Sequence, residues 1–439
     1  MTERDAVFAS ESQIVQQAIT LHLHGRLAEA EAAYQAILAH SANALALHGM
    51  GILRHQQGNG AEALRYLVDA CTQMPDIAGW RNDLGNVLAG QGAQLDAAGQ
   101  FLAAIERDGS NATYWNNYGA MLQAIGRDND AGPAFERAVA LAPHQIDALD
   151  NYGNWLMRHG HEQEGAGYVC RAYVLKPAEG QPPAMRGIAF YRLGRIHDAA
   201  QVYRDWLARE PGNPTAAHLL AACSGENVPS RCADDYVQST FDDYAATFDA
   251  RLEQLGYAIP QALDDTLAQL AAPRRQWHVL DAGCGTGWCG PFLRGYASAL
   301  TGVDLSGKML EQARHRAVYD QLIQAELTAW LDQTPERFDL VCAADLMIYF
   351  GDLLPLFAAM HRAMSPGSLL LFSAENTHGP MQEHDFQLLP SGRYGHGHQY
   401  LTETLAQSGF VLKQIKQQVV RQEFGRPVPG WVVVATRQP

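Results

Sequence analysis

The sequence predicts an all-α N-terminal half followed by an α/β half with a mostly parallel, doubly wound sheet. Three observations carry this. Glycines recur every 34 residues at Gly51, Gly85, Gly119, Gly153 and Gly187. That register ends at Gly225. From Trp277 onward, short apolar runs alternate with helical stretches, the pattern of strands joined by crossover helices.

In the first half, a second glycine series runs Gly58, Gly92, Gly126, Gly160 and Gly194. A third register holds Pro75, Gly109, Pro143, Pro177 and Pro211. Between them recur Ala70, Ala104, Ala138 and Ala172, and the bulky positions Leu67, Phe101, Phe135, Val169 and Tyr203. This describes a helix hairpin. The first glycine lets two helices approach; the second ends helix A in a left-handed conformation; the alanines and the bulky position make knob and hole between helices. The period and positions resemble the tetratricopeptide repeat. Units start near Ala44, Ala78, Ala112, Ile146 and Gly180, and a looser one before them keeps Ala18, Gly25, Ala30 and Tyr34. Residues 214–224 suit a capping helix. The array is assigned residues 1–225.

Helix A of these units carries asparagines in register: Asn82, Asn116 and Asp150; Asp83, Asn117 and Asn151; and, a little further on, Asn86 and Asn154. Such a ladder offers paired donors and acceptors to the amides of an extended peptide. Asn86, Asn117, Asn151 and Asn154 are therefore candidate partner-binding residues. The competing reading is an architectural or oligomerising array whose asparagines satisfy local backbone.

The second half, residues 226–439, opens with a polar joint and the amphipathic segment FDDYAATFDARLEQLGYAIP. Strands are expected at 277–281, 299–304, 320–325, 338–343 and 368–374, with two more at 410–419 and 430–437. Helices are expected at 288–296, 306–316, 352–364 and 400–408. The chemistry sits in the first turn, Asp281-Ala-Gly283-Cys-Gly285-Thr-Gly287, which follows an apolar strand. Glycines there let backbone approach a ligand, and Asp304 at the end of the next strand can take both hydroxyls of a ribose. The string from Gly285 to Gly290 also fits the dinucleotide fingerprint GxGxxG. A carboxylate at the start of the turn favours a cationic ligand, S-adenosylmethionine (SAM), over a pyrophosphate.

These motifs, with GVDLSGKML and FDLVCAADLMIYFGDL, resemble class I SAM-dependent methyltransferases. The whole chain is similar to bacterial methyltransferases with an N-terminal tetratricopeptide array. The resemblance implies a Rossmann-like, mostly parallel seven-stranded sheet and SAM as cofactor. It implies that Asp281, Gly283, Gly285 and Gly287 hold the methionyl part, and that Asp304 binds the ribose. Leu305 would pack on the adenine, Glu326 would meet its amino group, Asp345 would face the ammonium, and Met309 and Leu327 are further cofactor-binding candidates. The helix with Tyr236, Phe241, Tyr244 and Phe248 would fold over the cofactor as a lid, or be an ordinary amphipathic helix. The stretch RYGH recurs in such enzymes and marks Tyr394, His396 and the nearby His398 as candidate catalytic residues. Arg393 can pair with a carboxylate on the acceptor. Glu375 is a further polar candidate at the pocket mouth. The histidines at 378, 384, 396 and 398 lack the further ligands a metal site needs, so none is expected.

Composition narrows the partners. Lys and Arg number 32 against 47 Asp and Glu, a net charge of -15 spread over both halves. Nucleic acid and anionic membrane need a basic surface, so neither is expected. Seven scattered cysteines without a CxxC, and no apolar leader or long apolar run, point to a reduced, cytoplasmic setting. The expected function is methyl transfer to a peptide, protein or carrier-tethered acceptor recruited by the array. The alternatives are a small-molecule methyltransferase whose array drives homo-oligomeric assembly, and a non-catalytic scaffold with a vestigial SAM fold.

Overall fold

The computed structural model describes residues 3–377, 385–423 and 426–438. His378 and His384 lie outside the described residues. The chain forms two compact units, Met1–Lys176 and Pro177–Pro439. The first holds ten helices in antiparallel pairs: α1 Glu3–Leu23, α2 Leu27–Leu38, α3 Ala44–Gln56, α4 Gly60–Gln73, α5 Ala78–Gly90, α6 Gln94–Arg107, α7 Ala112–Ala124, α8 Asp128–Leu141, α9 Ile146–Arg158 and α10 Glu162–Leu175.

Four of the expected repeat starts coincide with the first residues of α3, α5, α7 and α9. The bulky residues seat against the first glycine series, which supplies the holes. A Cβ on Gly85 would lie 2.6 Å from the Phe101 ring, and one on Gly119 would lie 2.8 Å from Phe135. The second series, Gly58, Gly92, Gly126 and Gly160, has φ of +78° to +81°. There the chain reverses from helix A to helix B through a conformation that favours glycine. Three caps are made by asparagine: Asn43, Asn59 and Asn111 accept the backbone N–H of Ala46, Glu62 and Thr113.

The second unit begins with α11 Pro183–Arg192, α12 Ile196–Arg209 and α13 Pro214–Ser224, the last hairpin and its capping helix. The compact units thus divide at Lys176/Pro177, ahead of the end of the repeat register near 225. The reason is packing. Ala221 and Ala222 of α13 share one apolar cluster with Cys232, Leu388 and Tyr394. Next come α14 Asp234–Tyr244, a short 3-10 turn at Ala245–Thr247, α15 Phe248–Gln254 and α16 Ile259–Leu270.

The remainder is a sheet flanked by helices: β1 Trp277–Ala282, α17 Gly290–Leu293, β2 Ala297–Asp304, α18 Gly307–His315, β3 Gln321–Gln324, α19 Leu327–Gln333, β4 Phe338–Ala343, α20 Leu354–Ala363, β5 Met364–Glu375, β6 Phe386–Leu388, β7 Tyr394–His396, α21 His398–Gln407, β8 Phe410–Glu423 and β9 Arg426–Arg437. Strands β3-β2-β1-β4-β5 are parallel neighbours, and β9 joins β5 antiparallel with β8 outside it. These are the seven expected strands. The short pair β6 and β7 adds two more, tied to β5 through Glu375 and Gly395. Two apolar layers cover the sheet faces. Leu280, Val341, Phe357 and Phe372 belong to one, and Leu263, Val279, Leu300 and Leu371 to the other.

The sequence segment PVPG reads as a hairpin turn, yet it lies inside β9. Pro429 pairs with Val419 and Pro427 with Gln422 across a register shift at Val419/Arg421. The missing proline N–H groups are tolerated at this irregular, two-stranded end. Because β9 pairs with β5 only as far as Gly430 and Glu375, the hairpin runs on past the carboxyl ends of the parallel strands. It carries Arg421 and Glu423 with it.

Candidate active site

A cavity of about 470 Å³ opens at the carboxyl ends of the parallel strands. This is where open α/β sheets place ligands. The β1 turn forms its floor. Gly283, Gly285 and Gly287 all have positive φ, from +54° to +83°. At Gly285 (φ +54°) nothing lies within 4 Å of an added Cβ, so the backbone conformation itself is what selects glycine. Its N–H donates to Asp304 Oδ2 at 2.8 Å, and Ser306 N–H donates to Oδ1 at 2.8 Å. Burial pushes the Asp304 carboxyl upward, against these backbone bonds. The two bonds aim the carboxylate across the glycine turn and leave it free lone pairs.

Asp281 is 1% exposed and accepts a 2.6 Å bond from the Tyr319 hydroxyl. Burial raises its pKa to about 7, with Tyr319 opposing. Asp345 follows β4 with φ +49°, held by its N–H to Ser373 Oγ at 2.9 Å. Leu305, Met309 and Leu327 also line the cavity, as does Glu326. The Glu326 carboxylate, however, caps α19 by accepting Thr328 N–H at 3.1 Å and Ala329 N–H at 2.7 Å. The longer side chain folds back on its own helix, and Arg231 lies 3.6 Å from it. Gly287 is not among the lining residues; it sits behind the turn, where a Cβ would meet Tyr319 at 3.0 Å and Arg316 at 3.1 Å.

Helices α14 and α15 roof the cavity. Tyr236, Phe241, Tyr244 and Phe248 all line it, and Arg251 lies 4.4 Å over the Tyr244 ring. Two aspartates missed by sequence reasoning pin this roof to the cofactor turns. Asp249 accepts Thr286 Oγ1 at 2.6 Å and Arg316 Nη2 at 2.7 Å. Asp242 accepts Ser306 Oγ at 2.5 Å.

The three candidate catalytic residues are placed elsewhere. Tyr394 is fully buried and donates to Pro229 O at 2.6 Å. His396 is fully buried, with Nε2 bonded to Phe350 O at 2.8 Å, and burial lowers its pKa to about 4. His398 is exposed and packs edge-on against Trp431. None of the three lines the cavity. Tyr394 packs with Ala221, Ala222 and Tyr236, and His396 stacks on Tyr400, so both side chains are spent in packing outside the cavity.

Its neighbour Arg393 does line the cavity and pairs with Glu423. Glu375 does not line it, but accepts Arg421 Nη2 at 2.6 Å, and Arg421 Nε donates to Glu423 at 2.8 Å. Burial alone would lower the Arg421 guanidinium; the carboxylates of Glu375, Asp345 and Glu423 outweigh it and raise it. Burial likewise pushes Glu423 up, and the two arginines overcome it, holding it at about 2. Sequence reasoning missed Arg421, Ser391, Trp288 and Ile188, all of which line the cavity. Only Trp288, inside the glycine motif, carried any signal.

In the first unit the asparagines bond to one another. Asn117 Nδ2 donates to Asn82 Oδ1 at 3.0 Å and to Asn86 Oδ1 at 3.3 Å, and Asn151 Nδ2 donates to Asn116 Oδ1 at 2.9 Å. Asn86 and Asn154 are exposed. Among the described residues no cluster of His, Cys, Asp or Glu suits a metal ion, and no helix is long and apolar enough to cross a membrane.

A glycine turn, an aspartate at the end of β2 and a helical roof define a methyltransferase-type α/β site behind helical repeats, and comparison with known proteins agrees. Residues 279–367 match the methyltransferase domain family, and residues 82–146 match the tetratricopeptide repeat. The chain therefore contains a methyltransferase domain preceded by tetratricopeptide repeats. It is 30% identical over 166 residues to a malonyl-[acyl-carrier protein] O-methyltransferase of Erwinia pyrifoliae, covering 38% of this chain and 60% of that protein. It is 33% identical to a trans-aconitate 2-methyltransferase of Paracidovorax citrulli, over 24% of this chain and 44% of that protein. A solved SAM-dependent methyltransferase from Mesorhizobium loti shares 24% identity, with a TM-score of 0.32, over 39% of this chain and 96% of that one.

Proposed function

We propose that the chain is a SAM-dependent methyltransferase whose repeat array recruits its acceptor. The observation that carries this is the Asp304 carboxylate. It is aimed by Gly285 and Ser306 N–H into a roofed cavity that also holds Asp345 and the buried, unpartnered indole N–H of Trp288. These groups suit the cofactor: Asp304 for the ribose diol, Asp345 for the ammonium, Trp288 Nε1 for a carboxylate oxygen. When bound, the cofactor supplies an electrophilic methyl group on a sulfonium sulfur.

The chain's own residues then align and desolvate. The roof, pinned through Asp242 and Asp249, excludes water from the methyl group. Two half-buried tyrosines of the cavity, Tyr236 and Tyr349, have their pKa raised, first by desolvation, and stay protonated at neutral pH. They can orient an acceptor but do not take its proton. An acceptor that enters with its nucleophile ready, as an ionised oxygen or a lone pair, needs no base from these tyrosines. The names of the matched relatives, both methyltransferases of carboxylic acids or their carrier-bound forms, support an oxygen acceptor.

Recruitment rests on the asparagine ladder. Its inner members bond to each other and so are preorganised, while Asn86 and Asn154 present amides to solvent. The test pairs incorporation of labelled methyl from SAM into cell extract with the variant Asn86→Ala/Asn154→Ala. The variant is expected to lower labelling of the natural acceptor and leave SAM affinity unchanged. Equal labelling would remove the array from recruitment and favour assembly as its role.

A further inference from the structure

The cavity also holds a second set of polar side chains, outside the glycine turn, that the proposed cofactor does not use. Arg421 is 3% exposed. Its Nε and Nη2 are committed to Glu423 and Glu375, while Nη1 is buried and has no hydrogen-bond partner in the protein. Ser391 Oγ is likewise buried without a partner, and both residues line the cavity. A buried donor left unsatisfied is costly, and a cationic one more so, unless something that binds satisfies it.

These donors are held in place. Residues 389–393 form a tight turn closed by Gly392 N–H to Leu389 O at 2.8 Å and Leu389 N–H to Arg393 O at 2.8 Å. The capping helix grips that turn: His218 Nε2 bonds to Gly392 O at 2.8 Å, and its ring packs on Tyr236 with centroids 4.4 Å apart. Arg393, on the same turn, shares Glu423 with Arg421. Ile188 of α11 adds an apolar wall from the last repeat hairpin.

We propose that this set is a subsite for a carboxylate on the acceptor, with Arg421 Nη1 and Ser391 Oγ as donors and Arg393 adding charge. The inference rests on the cavity being the methyltransferase site named above. Arg421 and Arg393 face Glu375 and Glu423, and Asp345, assigned above to the cofactor ammonium, adds a third carboxylate, so the acceptor carboxylate is held by directional donors and not by excess positive charge. Arginine stays protonated at all working pH, so an acceptor carboxylate meets a permanent partner. The bound carboxylate completes the third edge of a guanidinium whose other two edges are already paired.

The test uses the full chain and 3-phenylpropionate, with 3-phenylpropionamide as a probe of equal shape and no charge. Calorimetric titration is run with and without S-adenosylhomocysteine. The carboxylate is expected to bind and the amide to bind at least roughly tenfold more weakly, as for loss of a charge-assisted hydrogen bond. Arg421→Lys keeps the charge facing Glu375 and Glu423 but loses the fork, and is expected to abolish the preference. Ser391→Ala, which leaves the ion cluster intact, is expected to weaken the carboxylate severalfold and keeps the test alive if the Arg421 variant does not fold. No binding, equal binding of the amide, or binding unchanged in Ser391→Ala and Arg421→Lys would overturn the subsite. Failure of S-adenosylhomocysteine alone to bind strikes the cofactor reading instead, and the titration without it still decides the subsite.

Discussion

Burial raises the pKa of both Asp281 and Asp304. Asp281 has a raised pKa of about 7, against 3.8 for an ordinary aspartate. Its folded form prefers the proton, so its favourable contribution is complete below about pH 4 and is lost as pH rises toward 7. The stability difference between wild type and Asp281→Asn should therefore move in favour of the variant across that window. The size is at most a few kcal/mol, and denaturant unfolding at stepped pH measures it. A pH-independent difference would contradict the buried, protonated state. Glu423 has the opposite sign: its pKa of about 2 means stability present above about pH 4.5 and lost as pH falls toward 2. At this scale the sequence was informative only for motif residues. It marked Asp281, Asp304 and the glycines, because the β1 turn has few ways to be built. It also marked Tyr394 and His396, whose side chains lie outside the cavity, because residue type does not reveal where a side chain of a short strand points. Arg421 lay in a polar strand with no motif around it, and only the overrun of the β8–β9 hairpin brings it to the cavity.

At the scale of elements, the roof helices α14 and α15 depend on two aspartates for their attachment to the β1 and β2 turns. Asp249→Ala removes bonds to Thr286 and Arg316. The expected result is faster backbone hydrogen exchange over residues 234–254 and weaker cofactor binding, with global stability changed by no more than about 1 kcal/mol, as for partly exposed ion pairs. Unchanged exchange there would show that the roof is held by its aromatic contacts alone. The repeat hairpins make a second prediction. Gly119→Ala places a methyl 2.8 Å from Phe135, inside a packed interface, and should cost about 1–3 kcal/mol by overpacking. Gly99→Ala, with nothing within 4 Å of the new methyl, should be neutral or slightly stabilising. Thermal unfolding of the two variants compares them directly. The repeat elements were legible because one interface is written five times. Strands β6 and β7 and helix α19 were not: each is too short to carry a period of its own.

The molecule as a whole is divided by packing at Lys176/Pro177 and by repeat register near residue 225. The difference matters for what folds alone. Residues 177–439 keep α13 over Cys232, Leu388 and Tyr394, whereas residues 226–439 expose that cluster. The longer fragment is expected to unfold cooperatively and at a higher temperature than the shorter one. Equal midpoints would place the last hairpin with the solenoid instead. The same packing gives the last repeat a part in the site, through Ile188 in the cavity wall and His218 on the turn before β7.

The central claim is that the cavity over the β1 turn binds SAM, and calorimetric titration of the full chain with SAM and S-adenosylhomocysteine tests it most directly. One equivalent is expected to bind, with affinity at least roughly tenfold weaker in Asp304→Ala, which loses the charged acceptor for the ribose diol. Absence of heat with both ligands, in a chain shown to be folded, would contradict it.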